Sequence, residues 1–213
     1  EKRCNSVGEL ADFVDIGFIQ GCDWDRHLGY AMPFLARKKP VFIDKPIVGN
    51  LGDCRKVEQL VKDGAVILGS SSVRYAEEIT AFLNIPEAER GKIVTVFGTS
   101  GLDEFNYAIH VVEAIGGLLG TGAVSTRFAG RGEVGGQACE TYLIRYANGA
   151  TGVYNAFLGI WQPFEVVIMT TKSTYQFRIE TGRVYGQLLD RICDYMETGK
   201  NALAPVTAIT ESI

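Results

Sequence analysis

The first third of the chain alternates short apolar segments with helical ones, and this alternation constrains the fold more than any other feature. Three segments are predicted strands that are largely apolar and show no regular polar alternation, at residues 13–19, 41–43 and 65–69. Between them, apolar spacing predicts one helix from Asp25 to the basic residues near 37–39 and another over residues 52–62. Strands without polar alternation are typical of a parallel sheet that helices cover on both faces.

The second half follows a different pattern. Helices are predicted at residues 75–83, 102–119 and 185–196, and strands at residues 93–99, 123–128, 141–146, 151–157, 165–171 and 175–179. Asn148-Gly149 between two of these strands is a strong hairpin signal, because both positions of such a turn favour positive φ. Consecutive hairpins give antiparallel pairing. The predicted fold class is α/β, with a parallel sheet followed by an α+β region that has a mostly antiparallel sheet.

The charge balance and the cysteines exclude several classes of protein. With 21 Lys and Arg against 25 Asp and Glu, the net charge is -4, and no basic run indicates a nucleic-acid surface. The five cysteines form no CxxC pair, so we interpret them as reduced thiols and not as zinc ligands. No apolar run approaches the roughly 18 residues of a membrane span, and no signal peptide is evident. We therefore expect a cytoplasmic protein without a nucleic-acid or membrane partner.

Only two histidines, His27 and His110, are available for proton transfer near neutral pH. On a continuous helix over residues 102–119, Asn106 and Glu113 would be neighbours of His110, because residues three and four apart share a face. Such a polar ridge beside an apolar stripe is either a solvated surface or the wall of an active site.

Lys45 is the second candidate for chemistry. It follows the predicted strand 41–43, and ligands of open parallel sheets bind beyond the carboxyl ends of the strands. Pro46 confines the backbone of Lys45 to extended geometry, which gives its ammonium group a defined direction. The alternative is a solvated lysine in a loop at the end of a strand.

Several segments together resemble the Gfo/Idh/MocA family, named for glucose-fructose oxidoreductase and inositol dehydrogenase. They are PVFIDKP at residues 40–46, AVILG at 65–69 followed by Arg74-Tyr75, and the later helix with its single histidine. The resemblance covers nearly the whole chain. It implies a partial dinucleotide-binding Rossmann domain over residues 1–75 and a C-terminal substrate and oligomerisation domain over residues 76–213. It also implies hydride transfer between NAD or NADP and a hydroxyl or carbonyl group of a sugar, polyol or related compound.

The resemblance also assigns roles to individual residues. His110, assisted by Asn106, would exchange a proton with the substrate hydroxyl, while Lys45 would stabilise the developing alkoxide. The cofactor-binding residues would be Trp24, His27, Asp44, Lys45 and Pro46, and the substrate-binding residues Arg74, Tyr75 and Tyr107. No metal is implied.

The sequence departs from the family pattern in four places. Asn106 stands where members often have Asp, Glu113 stands where Asp is common, and Trp24 stands where many have a cofactor-contacting Asn. No GxGxxG loop precedes a helix, so we expect a chain that lacks part of its Rossmann domain and binds dinucleotide weakly by itself. Two alternatives stay open: a non-catalytic member that acts as a binding or assembly module, and a reductase of a non-sugar substrate.

The strands at residues 141–146 and 151–157 predict a homo-oligomer, either a dimer or a tetramer. Alternation places Leu143 on one face of the sheet and Tyr142 on the other, so apolar side chains are expected on both faces. Further aromatic residues follow closely and are expected to extend an exposed patch, namely Tyr154, Phe157, Trp161 and Phe164. The alternative is that these aromatic side chains fill the core or line the substrate cleft.

Overall fold

The computed structural model describes residues 2–213, and its first three strands alternate with helices as the sequence predicts. The helices are α1 (Val7–Phe13), α2 (His27–Leu35), α3 (Leu51–Lys62), α4 (Glu77–Asn84), α5 (Glu87–Arg90), α6 (Ala108–Leu119), α7 (Val184–Thr198) and α8 (Val206–Thr210). The strands are β1 (Gly17–Ile19), β2 (Val41–Ile43), β3 (Ile67–Gly69), β4 (Ile93–Ser100), β5 (Ala123–Val134), β6 (Gln137–Tyr146), β7 (Thr151–Phe157), β8 (Glu165–Thr170) and β9 (Thr174–Arg178). Two 3₁₀ turns cover Trp24–Arg26 and Ser72–Tyr75.

The chain divides into two compact units. The first comprises residues 2–70, Leu203–Glu211 and Ile213, and the second comprises Ser71–Ala202 and Ser212. This division differs from the expected boundary after residue 75, because the turn Ser72–Tyr75 packs on α6 and so belongs with the second unit. The chain also returns to the first unit near its end, where α8 packs on α3 and β3.

The first unit contains the predicted parallel sheet. Its strand order is β1-β2-β3, with Gly17 opposite Val41 and Val41 opposite Ile67. β2 and β3 are buried along their whole length, as expected for strands covered on both faces. Side chains from α2, α3 and α8 complete the core around these strands.

The predicted strand at residues 13–19 is wrong in its first half. Residues Val7–Phe13 form α1, and only Gly17–Ile19 pairs in the sheet. The helix begins there because the Ser6 hydroxyl accepts a hydrogen bond from the backbone N–H of Glu9, which is the usual N-cap contact. Phe13 is therefore the last residue of a helix, and residues 14–16 connect this helix to the strand.

The second unit confirms the mostly antiparallel sheet. Its six strands are ordered β5-β6-β7-β4-β8-β9, and every neighbouring pair is antiparallel except β4 and β7. α6 covers one face, and the contact is close at Gly98, where an added Cβ would overlap the Val111 side chain. The core of the unit lies between this helix and the sheet.

The long helix predicted from Leu102 begins six residues later, at Ala108. The Asp103 carboxylate accepts hydrogen bonds from the backbone N–H groups of Phe105 (2.9 Å) and Tyr107 (3.1 Å), which holds this segment in a turn. Asp103 and Asn106 therefore precede the helix. The expectation that Asn106 and His110 share one helical face is wrong, because that argument requires continuous helix between them.

The Asn148-Gly149 hairpin is confirmed between β6 and β7. Only Gly149 has positive φ, at 88°. The backbone N–H of Gly149 bonds to the carbonyl of Tyr146, and that of Tyr146 bonds to the carbonyl of Ala150. The loop is therefore a turn followed by a left-handed glycine, and not the two-residue turn in which both residues have positive φ.

Several of the aromatic residues predicted for an exposed patch lie on the face of the second sheet that packs on α6. Ile144 and Tyr146 are buried in its core, with Tyr142 packed against them. Tyr154 and Phe164 are buried in the same core, so the prediction of an exposed patch is wrong for these two. Trp161, by contrast, is 50 % exposed.

The five cysteines are all free thiols. Burial raises the pKa of the Cys54 thiol. Burial, with a smaller contribution from the negative charge of Glu140, also raises the pKa of the Cys139 thiol. Both thiols are therefore kept protonated near neutral pH, which makes them poor nucleophiles. Within residues 2–213, no helix is both long and apolar enough to cross a lipid bilayer.

Candidate functional site

Lys45 lies directly beyond the carboxyl end of β2, in the segment Asp44–Pro46. The backbone N–H of Asp44 donates to the carbonyl of Ile19, so the segment continues the hydrogen bonding between β1 and β2. The Lys45–Pro46 peptide bond is cis. Asp44 and Lys45 are half-buried, whereas Pro46 is buried.

The His27 ring contacts the backbone of this segment. Its ring is fully buried, with Nδ1 3.0 Å from the carbonyl oxygen of Pro46 and Nε2 2.7 Å from that of Gly21. Carbonyl oxygens only accept hydrogen bonds, so both contacts are hydrogen bonds only when both ring nitrogens carry protons. The sequence predicts His27 on the cofactor side, and what the structure adds is that its ring anchors the backbone next to Lys45.

Trp24 is half-buried beside the continuation of the same loop. An added Cβ at Gly49 would overlap the indole ring of Trp24 and approach the Asp25 carboxylate. Gly49 therefore provides the space into which the indole packs. Trp24, His27 and the segment Asp44–Pro46, all predicted cofactor-binding residues, thus belong to one strand-end region of the first unit.

Burial raises the pKa of the Asp44 carboxyl above its ordinary value. The Lys45 backbone N–H and the charges of Lys45 and His27 oppose this effect only in part. The charged carboxylate is therefore less stable here than in water, which is the usual consequence of placing a carboxylate in a poorly solvated position.

We expect Asp44→Asn to stabilise the protein at neutral pH but not in acid. Because the pKa is raised in the folded state, the folded protein retains the proton that the unfolded chain loses above about pH 4, and its stability falls as the pH rises. Asparagine has no such dependence. Urea unfolding between about pH 4 and about pH 8 should show a gain for Asn that grows with pH. A gain that grows toward acid would contradict this assignment.

His110 lies in the first turn of α6 and is 7 % exposed. Its Nδ1 is 2.6 Å from the hydroxyl oxygen of Ser71. Its ring centroid is 5.2 Å from that of Phe164 and 6.0 Å from that of Tyr107. The His110 ring, the only imidazole of the second unit, is therefore largely shielded from water, lies next to aromatic rings and is hydrogen-bonded through Nδ1.

Trp161 extends this aromatic surrounding toward solvent. It makes edge-on contacts with Tyr107 and Phe164, at centroid distances of 6.2 Å and 5.8 Å. The sequence predicts Trp161 and Phe164 either in an oligomer surface or in the core or substrate cleft, and gives no link between them and His110. The sequence offers one signal for this cluster, since both residues follow the end of β7 in a short loop that contains Gly159 and Pro163.

Arg74 and Glu113 form a buried ion pair, and Glu113 lies three residues after His110 in α6. The Arg74 Nε donates to the Glu113 carboxylate at 3.1 Å, and the two side chains are 7 % and 1 % exposed. Gly116 and Gly117 make room for the arginine, because a Cβ at either position would lie about 3 Å from it (3.1 and 3.0 Å). This pairing gives Arg74 a role in attaching the turn Ser72–Tyr75 to α6, and a substrate contact by Arg74 stays a prediction.

The other predicted substrate-binding residues lie close by in the chain. Tyr75 is buried, with the Arg191 guanidinium 4.7 Å from its ring centroid. Tyr107 immediately precedes α6 and contacts His110 edge-on. Asn106, predicted to assist His110, is half-buried in the turn before the helix.

Two stacked tyrosines provide further polar groups on the face of the sheet that packs on α6. The rings of Tyr142 and Tyr154 are parallel to within 8°, 4.8 Å apart, and the Tyr142 hydroxyl donates to Glu140 at 2.6 Å. Burial, with a smaller effect from Glu140, raises the pKa of Tyr154 to about 12. Burial and the hydrogen bond to Glu140 also raise the pKa of Tyr142 above its ordinary value. Both phenols therefore stay protonated and act as neutral hydrogen-bonding groups. Among residues 2–213 no group of three or more His, Cys, Asp or Glu side chains could hold a metal ion.

Solved structures with the same fold are numerous. One is scyllo-inositol dehydrogenase from Lactobacillus casei, with a TM-score of 0.80 and 12% identity over 98% of this chain and 77% of that one. A UDP-N-acetylglucosamine 3-dehydrogenase from Acidithiobacillus ferrooxidans has a TM-score of 0.79 and 12% identity, over 99% of this chain and 79% of that one. GenD2 of gentamicin A biosynthesis, solved in complex with NAD, has a TM-score of 0.80 and 14% identity, over 98% and 76%.

These matches confirm the predicted fold, which this chain shares with solved oxidoreductase and dehydrogenase structures. At such low identity the likeness establishes the fold and nothing finer. No protein-family model and no curated protein matches the sequence.

Proposed function

We propose that the protein is an NAD(P)-dependent oxidoreductase that transfers a hydride between the nicotinamide and a hydroxyl or carbonyl group of a sugar, polyol or related compound. The observation that carries the proposal is the setting of His110, an imidazole that is hydrogen-bonded through Nδ1 and surrounded by aromatic rings. Histidine is the side chain that most often exchanges a proton with a reacting hydroxyl group. The fold, shared with dehydrogenases of inositol and of a nucleotide sugar, supports the same conclusion.

The residues beyond β2 fit the nicotinamide end of a dinucleotide. An ammonium group at the carboxyl end of a parallel strand lies where ligands of such sheets bind, and the buried His27 ring fixes the backbone that carries it. Trp24, Asp44, Lys45 and Pro46 would contact the cofactor, and His27 would support them. When bound, the nicotinamide supplies the hydride acceptor or donor. The one GxGxxG match in this sequence, at residues 130–135, lies at the end of β5 and opens no helix, so the proposal assigns no phosphate contacts to it.

Two side chains would perform the proton and charge chemistry. During oxidation of an alcohol, His110 takes the hydroxyl proton on Nε2, since Nδ1 is engaged with Ser71. The Lys45 ammonium stabilises the negative charge that develops on the oxygen. Asn106, Arg74, Tyr75 and Tyr107 are proposed to orient the reacting groups. In the reductive direction, His110 returns the proton to the oxygen.

Lys45→Met should lower kcat by about 10²-fold or more, which is the scale expected when a group that stabilises a developing oxyanion is removed. The measurement is the formation of reduced nicotinamide from NAD or NADP with scyllo-inositol, glucose and UDP-N-acetylglucosamine as trial substrates. The protein should be expressed from its whole gene. Lys62→Met, which changes an exposed lysine at the end of α3, is the matched control and should leave kcat unchanged.

A protein that folds and reduces neither cofactor with any of these substrates would contradict the proposal. It would favour the alternative of a non-catalytic binding or assembly module. Equal kcat values for the Lys45→Met and Lys62→Met variants would remove Lys45 from the mechanism but leave the activity.

We also propose that the protein is a homo-oligomer that assembles through the face of the six-stranded sheet opposite α6. That face carries Phe97, Leu143, Val153 and Phe157, each half-buried, and Met169, which is 45 % exposed. An apolar sheet face of this kind is typical of an interface. Light scattering at micromolar concentration should give a multiple of the chain mass, and Val153→Glu should give the single-chain mass. A monomer before the substitution would contradict this proposal.

A further inference from the structure

Ser71 and His110 are in direct side-chain contact. The Ser71 hydroxyl oxygen is 2.6 Å from His110 Nδ1, and both residues are buried, at 0 % and 7 % exposure. The same oxygen accepts a hydrogen bond from the backbone N–H of Val73 at 3.1 Å. Ser71 therefore starts the turn Ser72–Tyr75 and contacts the candidate catalytic ring with one atom.

Two proton arrangements satisfy this contact. A serine hydroxyl has one proton to donate and two lone pairs to accept, and Val73 uses one lone pair. Either the hydroxyl donates to Nδ1, so that the neutral ring carries its proton on Nε2, or Nδ1–H donates to the second lone pair. Only the second arrangement leaves Nε2 unprotonated and able to accept a proton.

We propose that Ser71 is a positioning residue that accepts the Nδ1–H of His110 and thereby holds the neutral ring as the tautomer with a basic Nε2. This inference rests on the proposed function for its mechanistic meaning. The contact serves both protonation states, because the ring also carries Nδ1–H after Nε2 has taken the substrate proton. Ser71 thus keeps the ring orientation constant through the reaction and stabilises the imidazolium form by a hydrogen bond.

Several charged groups on elements packed around the pair have partners other than His110. The turn Ser72–Tyr75 contributes Arg74 and α6 contributes Glu113, which bind each other. β4 carries no titratable side chain, and β7 contributes only the neutral Tyr154. α4 contributes Glu77, paired with Arg183, and Glu78, which accepts from the backbone N–H of Glu180. A neutral hydroxyl, and not a carboxylate, is therefore the identified partner of His110 Nδ1.

The test is nitrogen NMR of the full protein labelled with ¹⁵N-histidine. Ring nitrogens with and without a proton have well-separated shifts, and the chain has only two histidines, His27 and His110. His110→Gln assigns the spectrum. We expect a protonated Nδ1 and a bare Nε2 for the neutral His110 ring. A bare Nδ1 with a protonated Nε2 would overturn the proposal, and this result needs neither a substrate nor a variant of Ser71.

Variants of Ser71 test its role in catalysis. Ser71→Ala should redistribute the His110 tautomers, lower kcat by about 10-fold, which corresponds to one hydrogen bond, and move the acidic limb of the kcat/KM profile to lower pH. Ser71→Thr keeps the hydroxyl and should restore all three. Ser72→Ala removes the adjacent buried hydroxyl and is the control.

A role for Ser71 in folding alone would lower stability in Ser71→Ala but leave the tautomer and the pH limb unchanged, which would overturn the proposal. If the protein shows no oxidoreductase activity, the proposed function fails, and the NMR measurement still decides the Ser71 contact. The two failures are therefore distinguishable.

Discussion

His110→Ala should lower kcat by about 10²-fold or more and leave the affinity for NAD or NADP nearly unchanged. This is the usual effect of removing a positioned group that transfers a proton in the transition state. The affinity should persist because the residues proposed to contact the cofactor are Trp24, Asp44, Lys45 and Pro46. Steady-state kinetics with the best trial substrate, together with calorimetric titration of the cofactor, measures both quantities.

The control for His110→Ala is Val112→Ala. Val112 lies on the same helix and is only partly buried, so this substitution tests the effect of trimming α6 without removing the imidazole. We expect kcat close to that of the unmodified protein. Comparable kcat values for His110→Ala and the unmodified protein would eliminate the proton-transfer role.

The largest loss of stability is expected for Glu113→Ala. The substitution leaves the Arg74 guanidinium buried without its carboxylate, and breaking a buried ion pair in this way costs about 3–5 kcal/mol. The Arg74 and Glu113 side chains are 7 % and 1 % exposed, so water cannot replace the lost partner. Urea unfolding followed by circular dichroism measures the change in the free energy of unfolding.

The matched control breaks an exposed ion pair in the same unit. Glu165→Ala removes the partner of Arg178, whose side chain is 68 % exposed, although the 2.6 Å contact is shorter than the buried one. Exposed pairs contribute about 1 kcal/mol or less. Equal losses for the two substitutions would show that burial of the Arg74 pair does not determine its importance.

The sequence predicts the order and type of most elements because apolar spacing dominates them. β2, β7 and α3 lie close to their predicted ranges, since each is a strongly patterned segment with clear ends. The errors occur where one side chain competes with that pattern. The Ser6 cap starts a helix that ends on the first residue of the predicted strand, and that strand begins only at Gly17. Asp103 holds a turn where apolar spacing suggests a helix.

The candidate site is predictable only in part. Lys45 can be selected because it precedes a proline at the end of a predicted strand. His110 can be selected because the chain has only two histidines. The contacts of Ser71 with His110 and of Arg74 with Glu113 each join residues 39 apart, and no local pattern gives such a distance. Two sequence features can be related to these contacts once the structure is known. The polar run Ser70-Ser71-Ser72 follows a buried strand, and Gly116-Gly117 lies inside a helix beside Arg74.

The most direct test of the central claim follows the hydride itself. The protein from its whole gene is incubated with NAD or NADP and carbon-deuterated scyllo-inositol, glucose or UDP-N-acetylglucosamine, and the reduced cofactor is analysed by mass spectrometry. We predict a reduced nicotinamide that carries one deuterium from the substrate carbon, formed at least about 10²-fold more slowly by His110→Ala. A reduced cofactor without deuterium, or no reduced cofactor with any of these substrates, would contradict the account.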